Sequence, residues 1–114
     1  MIGFLALALA QGGGPPLSRL RPPMLLVPLR QLFLSSDYPK EARRNGEQGT
    51  VGFILDIGTD GTVQGCRITM SSGSPSLDAK TCEVLQHRAK FSPGINSLGQ
   101  PATGSFSTTI NWAL

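Results

Sequence analysis

Apolar and polar residues alternate along three stretches of the chain, which is the pattern of strands with one buried face. The stretches are GTVGFILDIG at 49–58, TVQGCRITM at 62–70 and SFSTTINWAL at 105–114. An Asp60-Gly61 pair, typical of a hairpin turn, joins the first two. We expect three strands, with these residues facing the core: Val51, Phe53, Leu55 and Ile57; Cys66, Ile68 and Met70; and Phe106, Thr108, Ile110, Trp112 and Leu114.

A short helix is predicted over YPKEARRNG, residues 38–46. Pro39 suits the first helical turn, and Asp37 and Tyr38 stand where an N-cap belongs. Asn45-Gly46 supplies a left-handed stop. Because a helix of about two turns is unstable alone, we expect it to pack against the sheet.

A second helix is predicted over LDAKTCEVLQHRAKF, residues 77–91. Ser76 is the expected N-cap, and cations in the last turn favour the helix dipole. Helical spacing predicts a buried stripe formed by Asp78, Cys82, Leu85 and Ala89.

The elements follow the order helix, strand, strand, helix, strand, which predicts an α+β fold. The first strand is the most apolar, so we place it in the centre of a three-stranded antiparallel sheet of spatial order 2-1-3. Both helices then cover one face. The C-terminal strand is left at an edge with unpaired backbone groups.

The first part of the chain differs in composition from residues 37–114, the predicted folded domain. Residues 1–10, MIGFLALALA, end in an A-x-A pattern and predict a signal peptide and export. The alternative is an apolar N-terminus without a targeting role. Residues 11–36 form a linker arm rich in Pro and Gly, but residues 24–34 are too apolar for a plain linker. We expect part of this arm to lie against the domain or against another protein.

Charge is unevenly distributed between the arm and the domain. The net charge of +3 arises from Arg19, Arg21 and Arg30 in the arm, because residues 37–114 hold seven basic and seven acidic residues. A neutral domain argues against a nucleic-acid partner, which requires a basic surface.

Two cysteines, Cys66 and Cys82, are predicted on core faces of the second strand and the helix that follows it. With a single His and no C-x-x-C, they argue against a zinc site. In an exported protein the pair suggests a disulfide, and two buried free thiols are the alternative.

Residues suited to catalysis lack partners in the sequence. His87 is the single His and lies among cations on a predicted helix, and Asp56 and Asp60 flank the hairpin. No Ser or Cys has an evident base. We therefore expect no enzyme, no metal and no cofactor.

An ordered set of motifs resembles the C-terminal domain of TonB, the energy transducer of Gram-negative envelopes, over about residues 38–114. The set comprises Tyr38-Pro39, Ala42, Gly46, Gly49, Val51, Asp60-Gly61, Ser71-Ser72-Gly73, Leu77-Asp78 and Phe91-x-Pro93. The resemblance implies a periplasmic domain without an active site, which binds the extended TonB-box peptide of outer-membrane receptors by adding it as a strand to a sheet edge. It also implies coupling to an inner-membrane motor complex.

The resemblance places the partner-binding residues in two segments. The first is the edge strand Ser105, Phe106, Ser107, Thr108, Thr109, Ile110, Asn111 and Trp112, and the second is the loop Ser36, Asp37, Tyr38 and Pro39. For Trp112 alone, the alternation favours core packing over a contact with a partner. Pairing of the edge in a homodimer is an alternative. A second alternative is a disulfide-bonded structural domain that contacts other envelope proteins without transmitting force.

Overall fold

A three-stranded antiparallel sheet forms the centre of the computed structural model, which describes residues 20–114. The predicted signal peptide and the first part of the arm lie outside the described residues. The elements are β1 (Met24–Leu25), α1 (Leu29–Leu32), a 3-10 turn (Ser35–Asp37), α2 (Lys40–Arg44), β2 (Gly49–Ile57), β3 (Val63–Met70), α3 (Pro75–Arg88), β4 (Phe91–Ser92), β5 (Gly94–Ile95), β6 (Pro101–Ala102) and β7 (Gly104–Trp112).

The order of the sheet is β3-β2-β7, with both neighbours antiparallel to β2. This is the predicted order 2-1-3, and the α+β fold class is confirmed. The core side of the central strand is almost completely buried, with Val51, Phe53 and Leu55 at 0% exposure. Two short antiparallel pairs, β1 with β4 and β5 with β6, accompany the main sheet and were not predicted.

Two register shifts in β3 change which of its side chains face the core. Gly52 pairs with Met70 and Phe53 pairs with Ile68, so Thr69 is an extra residue on β3. Such a bulge reverses the alternation beyond it and turns Met70 to the face of Gly52. The prediction that Met70 is a core residue is therefore wrong, and Met70 is 48% exposed. Ile68 lies opposite Phe53, but on this edge strand it is 36% exposed, so its prediction as a core residue is also wrong.

The core-facing prediction for β7 is correct at three positions and wrong at two. Trp112 is buried, and Phe106 and Ile110 are half-buried against the core. Thr108 is exposed, and Leu114 lies beyond the end of the strand and is 57% exposed. An edge strand is covered less completely than a central one, so alternation alone overestimates its burial.

Helix α3 begins two residues earlier than predicted and ends three residues earlier. Its N-cap is Ser74, not Ser76, and the Ser74 hydroxyl accepts a hydrogen bond from the Leu77 N–H. Pro75 occupies the first helical position, as its fixed φ favours. Phe91, the last residue of the predicted helix, belongs to β4.

The buried stripe of α3 consists of Leu77, Thr81, Val84 and Leu85, and Ala89 is buried just after it. The predicted inclusion of Asp78 is wrong. Its carboxylate accepts hydrogen bonds from the hydroxyls of Ser71 and Ser72, outside the core. A carboxylate at the start of a helix is better satisfied by such donors than by apolar neighbours.

Helix α2 follows Pro39 directly, so Asp37 and Tyr38 do not act as its N-cap and that prediction is wrong. Gly46 adopts φ 65°, which confirms the predicted left-handed stop. The Tyr38 ring and Ala42 are instead both buried in a core cluster with Val51, Leu77 and Trp112.

The second half of the predicted arm lies against the domain. This is one of the two positions expected from the sequence, the other being a contact with another protein. The Leu26 N–H donates to the Lys90 carbonyl, and β1 pairs with β4. Leu32 is buried, and four further apolar side chains of this segment, Leu25, Val27, Leu29 and Phe33, pack against the core. From here on, the arm means residues 20–36, the described part of the predicted arm 11–36. These residues cover the part of the core that the two predicted helices leave open.

Candidate functional site

Strand β7 is paired along one side only. Its nine residues pair with β2 without a register shift, from Gly49↔Trp112 to Ile57↔Gly104. Within residues 20–114 no strand pairs with its other side. Alternate residues of such a strand direct their N–H and C=O groups away from the partner, so β7 presents a row of free backbone donors and acceptors.

The two faces of β7 carry different side chains. Phe106, Ile110 and Trp112 point to the core, where the Phe106 and Phe91 ring centroids lie 5.1 Å apart. The exposed face of the sheet carries small polar side chains, namely Ser105, Ser107, Thr109 and Asn111. No side chain of β7 is charged.

Trp112 anchors the C-terminal end of β7 in the core. Its indole Nε1–H donates to Thr81 Oγ1 at 2.9 Å, and the Thr81 hydroxyl donates to the Leu77 carbonyl at 2.8 Å. The Phe33 and Tyr38 rings meet the indole edge-on at centroid distances of 5.4 and 5.3 Å. These contacts give Trp112 the core-packing role that the alternation favoured.

The four residues of the predicted partner-binding loop occupy different environments. Ser36 is exposed and Pro39 is half-buried, whereas Asp37 and Tyr38 are 8% exposed each. The Tyr38 hydroxyl donates to the Glu47 carbonyl, which joins this loop to the start of β2. Of the four, Ser36 offers the most accessible surface, and partner binding by this loop stays a prediction.

Asp37 and Arg88 form a bidentate ion pair. Arg88 Nη1 and Nη2 donate to the two Asp37 carboxylate oxygens at 2.6 and 2.8 Å, and the Leu34 N–H donates to the same carboxylate at 2.6 Å. The hydrogen bond from Arg88 is the main reason why the pKa of Asp37 is lowered from its usual range. Arg88 also donates to the Leu32 carbonyl at 2.9 Å, so one guanidinium joins α3 to the arm.

An open groove of about 430 Å³ lies between the arm and β7. Pro28, Leu29 and Arg30 form one side, and Thr109, Ile110 and Asn111 form the other. Nearer the start of β7, Pro23 is buried and lies over Gly104, where an added Cβ would come within 2.7 Å of the proline ring. The arm therefore runs beside β7 over much of its length, but no backbone hydrogen bond between the arm and β7 occurs within residues 20–114.

A disulfide joins Cys66 of β3 to Cys82 of α3, with the Cα atoms 5.7 Å apart. The predicted bond is confirmed, and the alternative of two free thiols is wrong. It holds the long helix against the edge strand on the side of the sheet opposite β7.

The residues considered for catalysis serve local structure. His87 Nδ1 lies 2.9 Å from the Glu83 carbonyl on the exposed side of α3. Asp60 accepts from the Thr62 N–H and hydroxyl at 3.0 and 2.7 Å, and these hydrogen bonds lower its pKa. Asp56 faces Arg67 at 3.7 Å with both side chains more than half exposed.

Among residues 20–114, no three His, Cys, Asp or Glu side chains are grouped to hold a metal ion. No helix in this same range has the length and apolar character needed to cross a membrane.

The family model described as Gram-negative bacterial TonB protein C-terminal matches residues 35–114. The chain belongs to the TonB C-terminal domain family. Protein TonB of Haemophilus influenzae is 31% identical over 85 residues, which make up 75% of this chain and 30% of that protein. The chain thus corresponds to less than a third of the length of that TonB relative.

Solved structures show the same fold. The solution structure of the Pseudomonas aeruginosa TonB C-terminal domain has a TM-score of 0.54 at 19% identity, covering 68% of this chain and 76% of that one. The solution structure of the Helicobacter pylori TonB C-terminal domain has a TM-score of 0.53 at 22% identity, covering 75% and 76%.

Sequence reasoning located the open edge of this TonB domain and expected part of the arm to lie against the domain or another protein, but it did not place the arm beside β7. Leu29 and Arg30, which line the groove, stood in a segment predicted as a linker arm that is too apolar for a plain linker. The available signal was alternation in the arm, where Leu25 and Val27 are half-buried and Met24 and Leu26 are exposed. Prolines at close intervals obscured that signal, because they argue against any regular element.

Proposed function

We propose that this TonB domain binds an extended peptide by adding it as a fourth strand along the outer side of β7. The observation that carries the proposal is the one-sided pairing of β7, which leaves backbone donors and acceptors free along nine residues. Strand addition draws its affinity from such main-chain hydrogen bonds, and its specificity from alternate side chains.

The other edge of the sheet is less suited to strand addition. Strand β3 has two register shifts, opposite Gly52/Phe53 and Asp56/Ile57, and it is cross-linked to α3. Bulges twist an edge and interrupt the regular spacing of its hydrogen-bonding groups. Because β7 has no register shift, an added peptide meets an uninterrupted ladder there.

The proposed partner is the TonB-box peptide of an outer-membrane receptor, which this domain would meet in the periplasm. Membership of the TonB C-terminal family supports this choice. The same proposal includes coupling to an inner-membrane motor complex and energy-dependent transport. It also includes export of the chain, or its association with the inner membrane through the N-terminus. The domain is proposed to act by binding, without catalysis.

Titration of the ¹⁵N-labelled chain with a TonB-box peptide tests the proposal. The amide resonances of residues 106–112 are expected to shift, while those of β3 serve as an internal reference. The matched control is the same peptide N-methylated at alternate residues, which removes one row of donors and keeps every side chain. No shift in β7 at millimolar peptide, or equal shifts with the N-methylated peptide, would contradict strand addition.

A second candidate is a structural domain that contacts other envelope proteins through the arm. Three large apolar side chains of this segment, Met24, Leu26 and Leu34, are 55%, 61% and 56% exposed. A photo-crosslinking residue at Leu26 would report on this surface in cells, and one at Ser107 would report on β7. Adducts formed at Leu26 alone would favour the structural candidate, and adducts at Ser107 would favour strand addition.

A further inference from the structure

The arm places positively charged side chains beside an edge strand that has no charged side chain. Strand β7 contains no charged residue, and the arm contains Arg21 and Arg30 without any acidic residue. Arg30 is exposed and lines the groove beside Ile110. Within residues 20–114 no carboxylate lies within salt-bridge distance of Arg30.

The groove is placed to receive side chains of a peptide added to β7. A new strand lies about 4.8 Å from its neighbour, and directly opposed residues point to the same face of the sheet. The peptide residue opposite Ile110 therefore points to the face of the sheet that the arm covers. That side of the groove is lined by Pro28, Leu29 and Arg30.

We propose that Arg30 selects peptides that carry an acidic side chain on the face turned toward the arm. This inference rests on the proposed strand addition and assigns the preference to charge complementarity in the groove. A guanidinium binds a carboxylate through two parallel hydrogen bonds, and Arg30 has no competing carboxylate among the described residues. The opposite face of β7 carries the uncharged side chains of Ser107, Thr109 and Asn111.

A peptide scan on the full chain of 114 residues tests this selection. One extended peptide is prepared with Glu or with Lys at each successive position, and its dissociation constant is measured by the shifts of the β7 amides. Because side chains alternate, the preference for Glu over Lys should appear at every second position near Ile110. We expect about 3- to 10-fold tighter binding of the Glu peptide there, falling as NaCl is raised.

The variant Arg30→Glu should reverse this preference so that the Lys peptide binds more tightly, and Arg30→Gln should abolish it. The matched control is Arg44→Glu, which makes the same charge change on α2, outside the groove. It should leave the preference unchanged. An unaltered amide spectrum outside the groove shows that each variant is folded.

The outcomes separate this inference from the strand addition on which it rests. Suppose that the β7 amides shift, but the dissociation constants of the Glu and Lys peptides have the same ratio in Arg30→Glu as in Arg44→Glu. Strand addition then holds and the role of Arg30 is overturned. If no peptide shifts β7, both proposals fail together. A preference without alternation along the peptide would indicate long-range attraction and would also overturn the role of Arg30.

Discussion

Arg88 and Asp37 form the contact that joins the C-terminal end of α3 to the turn before α2, with two hydrogen bonds of 2.6 and 2.8 Å. The Asp37 side chain is 8% exposed, whereas that of Arg88 is 40% exposed. A carboxylate in this position depends on its donors, because burial without them is costly.

Asp37→Asn should therefore lower the free energy of unfolding by about 1–3 kcal/mol. The amide keeps the shape of the side chain but loses the charge-assisted pair. Urea denaturation measures the change. Asp56→Asn is the control, because Asp56 faces Arg67 at 3.7 Å with both groups exposed. An equal loss in both variants would show that the buried pair has no special role.

The same ion pair predicts how stability depends on pH. Arg88 lowers the pKa of Asp37 in the folded state, so the unfolded chain, with a carboxyl pKa of about 3.9, binds the proton more readily. The stabilisation is complete above that unfolded value and is lost as pH falls through the lower folded value. Denaturation midpoints measured from neutral to acidic pH should fall less steeply in Asp37→Asn than in the unaltered chain.

Reduction of the Cys66–Cys82 disulfide should lower stability by about 3 kcal/mol, the loop-closure value for a separation of 16 residues. Thermal unfolding with and without a reductant measures the effect. The double variant Cys66→Ala/Cys82→Ala should match the reduced chain and show no further response to reductant. A reductant effect that persists in the double variant would contradict this assignment.

Trp112 and Thr81 should show coupled effects on stability. Trp112→Phe removes the donor of the 2.9 Å hydrogen bond, and Thr81→Val removes its acceptor. Each change should cost about 1–2 kcal/mol, and the double variant should cost less than the sum of the two. Additive losses in a double-mutant cycle would argue that the hydrogen bond contributes nothing.

Gly61→Ala should destabilise the hairpin more than Gly73→Ala. Both residues have positive φ, 84° and 93°, so both variants carry similar backbone strain. At Gly61 an added Cβ would lie 2.0 Å from the Phe91 carbonyl oxygen, whereas at Gly73 it would meet nothing within 4 Å. We expect a cost of about 1 kcal/mol at Gly73 and clearly more at Gly61. Equal chemical-denaturation midpoints would contradict this prediction.

The sequence alone predicts the sheet and the position of its open edge. Val51, Phe53 and Leu55 alternate with smaller or polar residues, and their strand is the most apolar of the three, which places it centrally. Asp60-Gly61 marks the hairpin connection, because glycine accepts the positive φ that such turns require. The edge position of β7 follows from these two facts.

The environment of single side chains depended on contacts between distant parts of the chain. Local rules assigned Asp37 to a helix cap, but Arg88, 51 positions away, binds it instead. The bulge at Thr69 turns the Met70 side chain to the opposite face of the sheet. Nothing in the residue types of this strand marks Thr69 as an inserted residue.

The sequence by itself therefore determined the three main strands, the two main helices and the order of the strands in the sheet, because each depends on local periodicity or on turn signals. It suggested a disulfide between Cys66 and Cys82, and the structure decided between that bond and two free thiols. Only the tertiary structure decided that the arm packs beside β7 and places Arg30 in a groove there. The physical reason is that the alternation in the arm is short and interrupted by prolines, so it does not define which surface the arm covers. Its position is set by the apolar surface that the sheet and helices leave uncovered, which exists only once they have assembled.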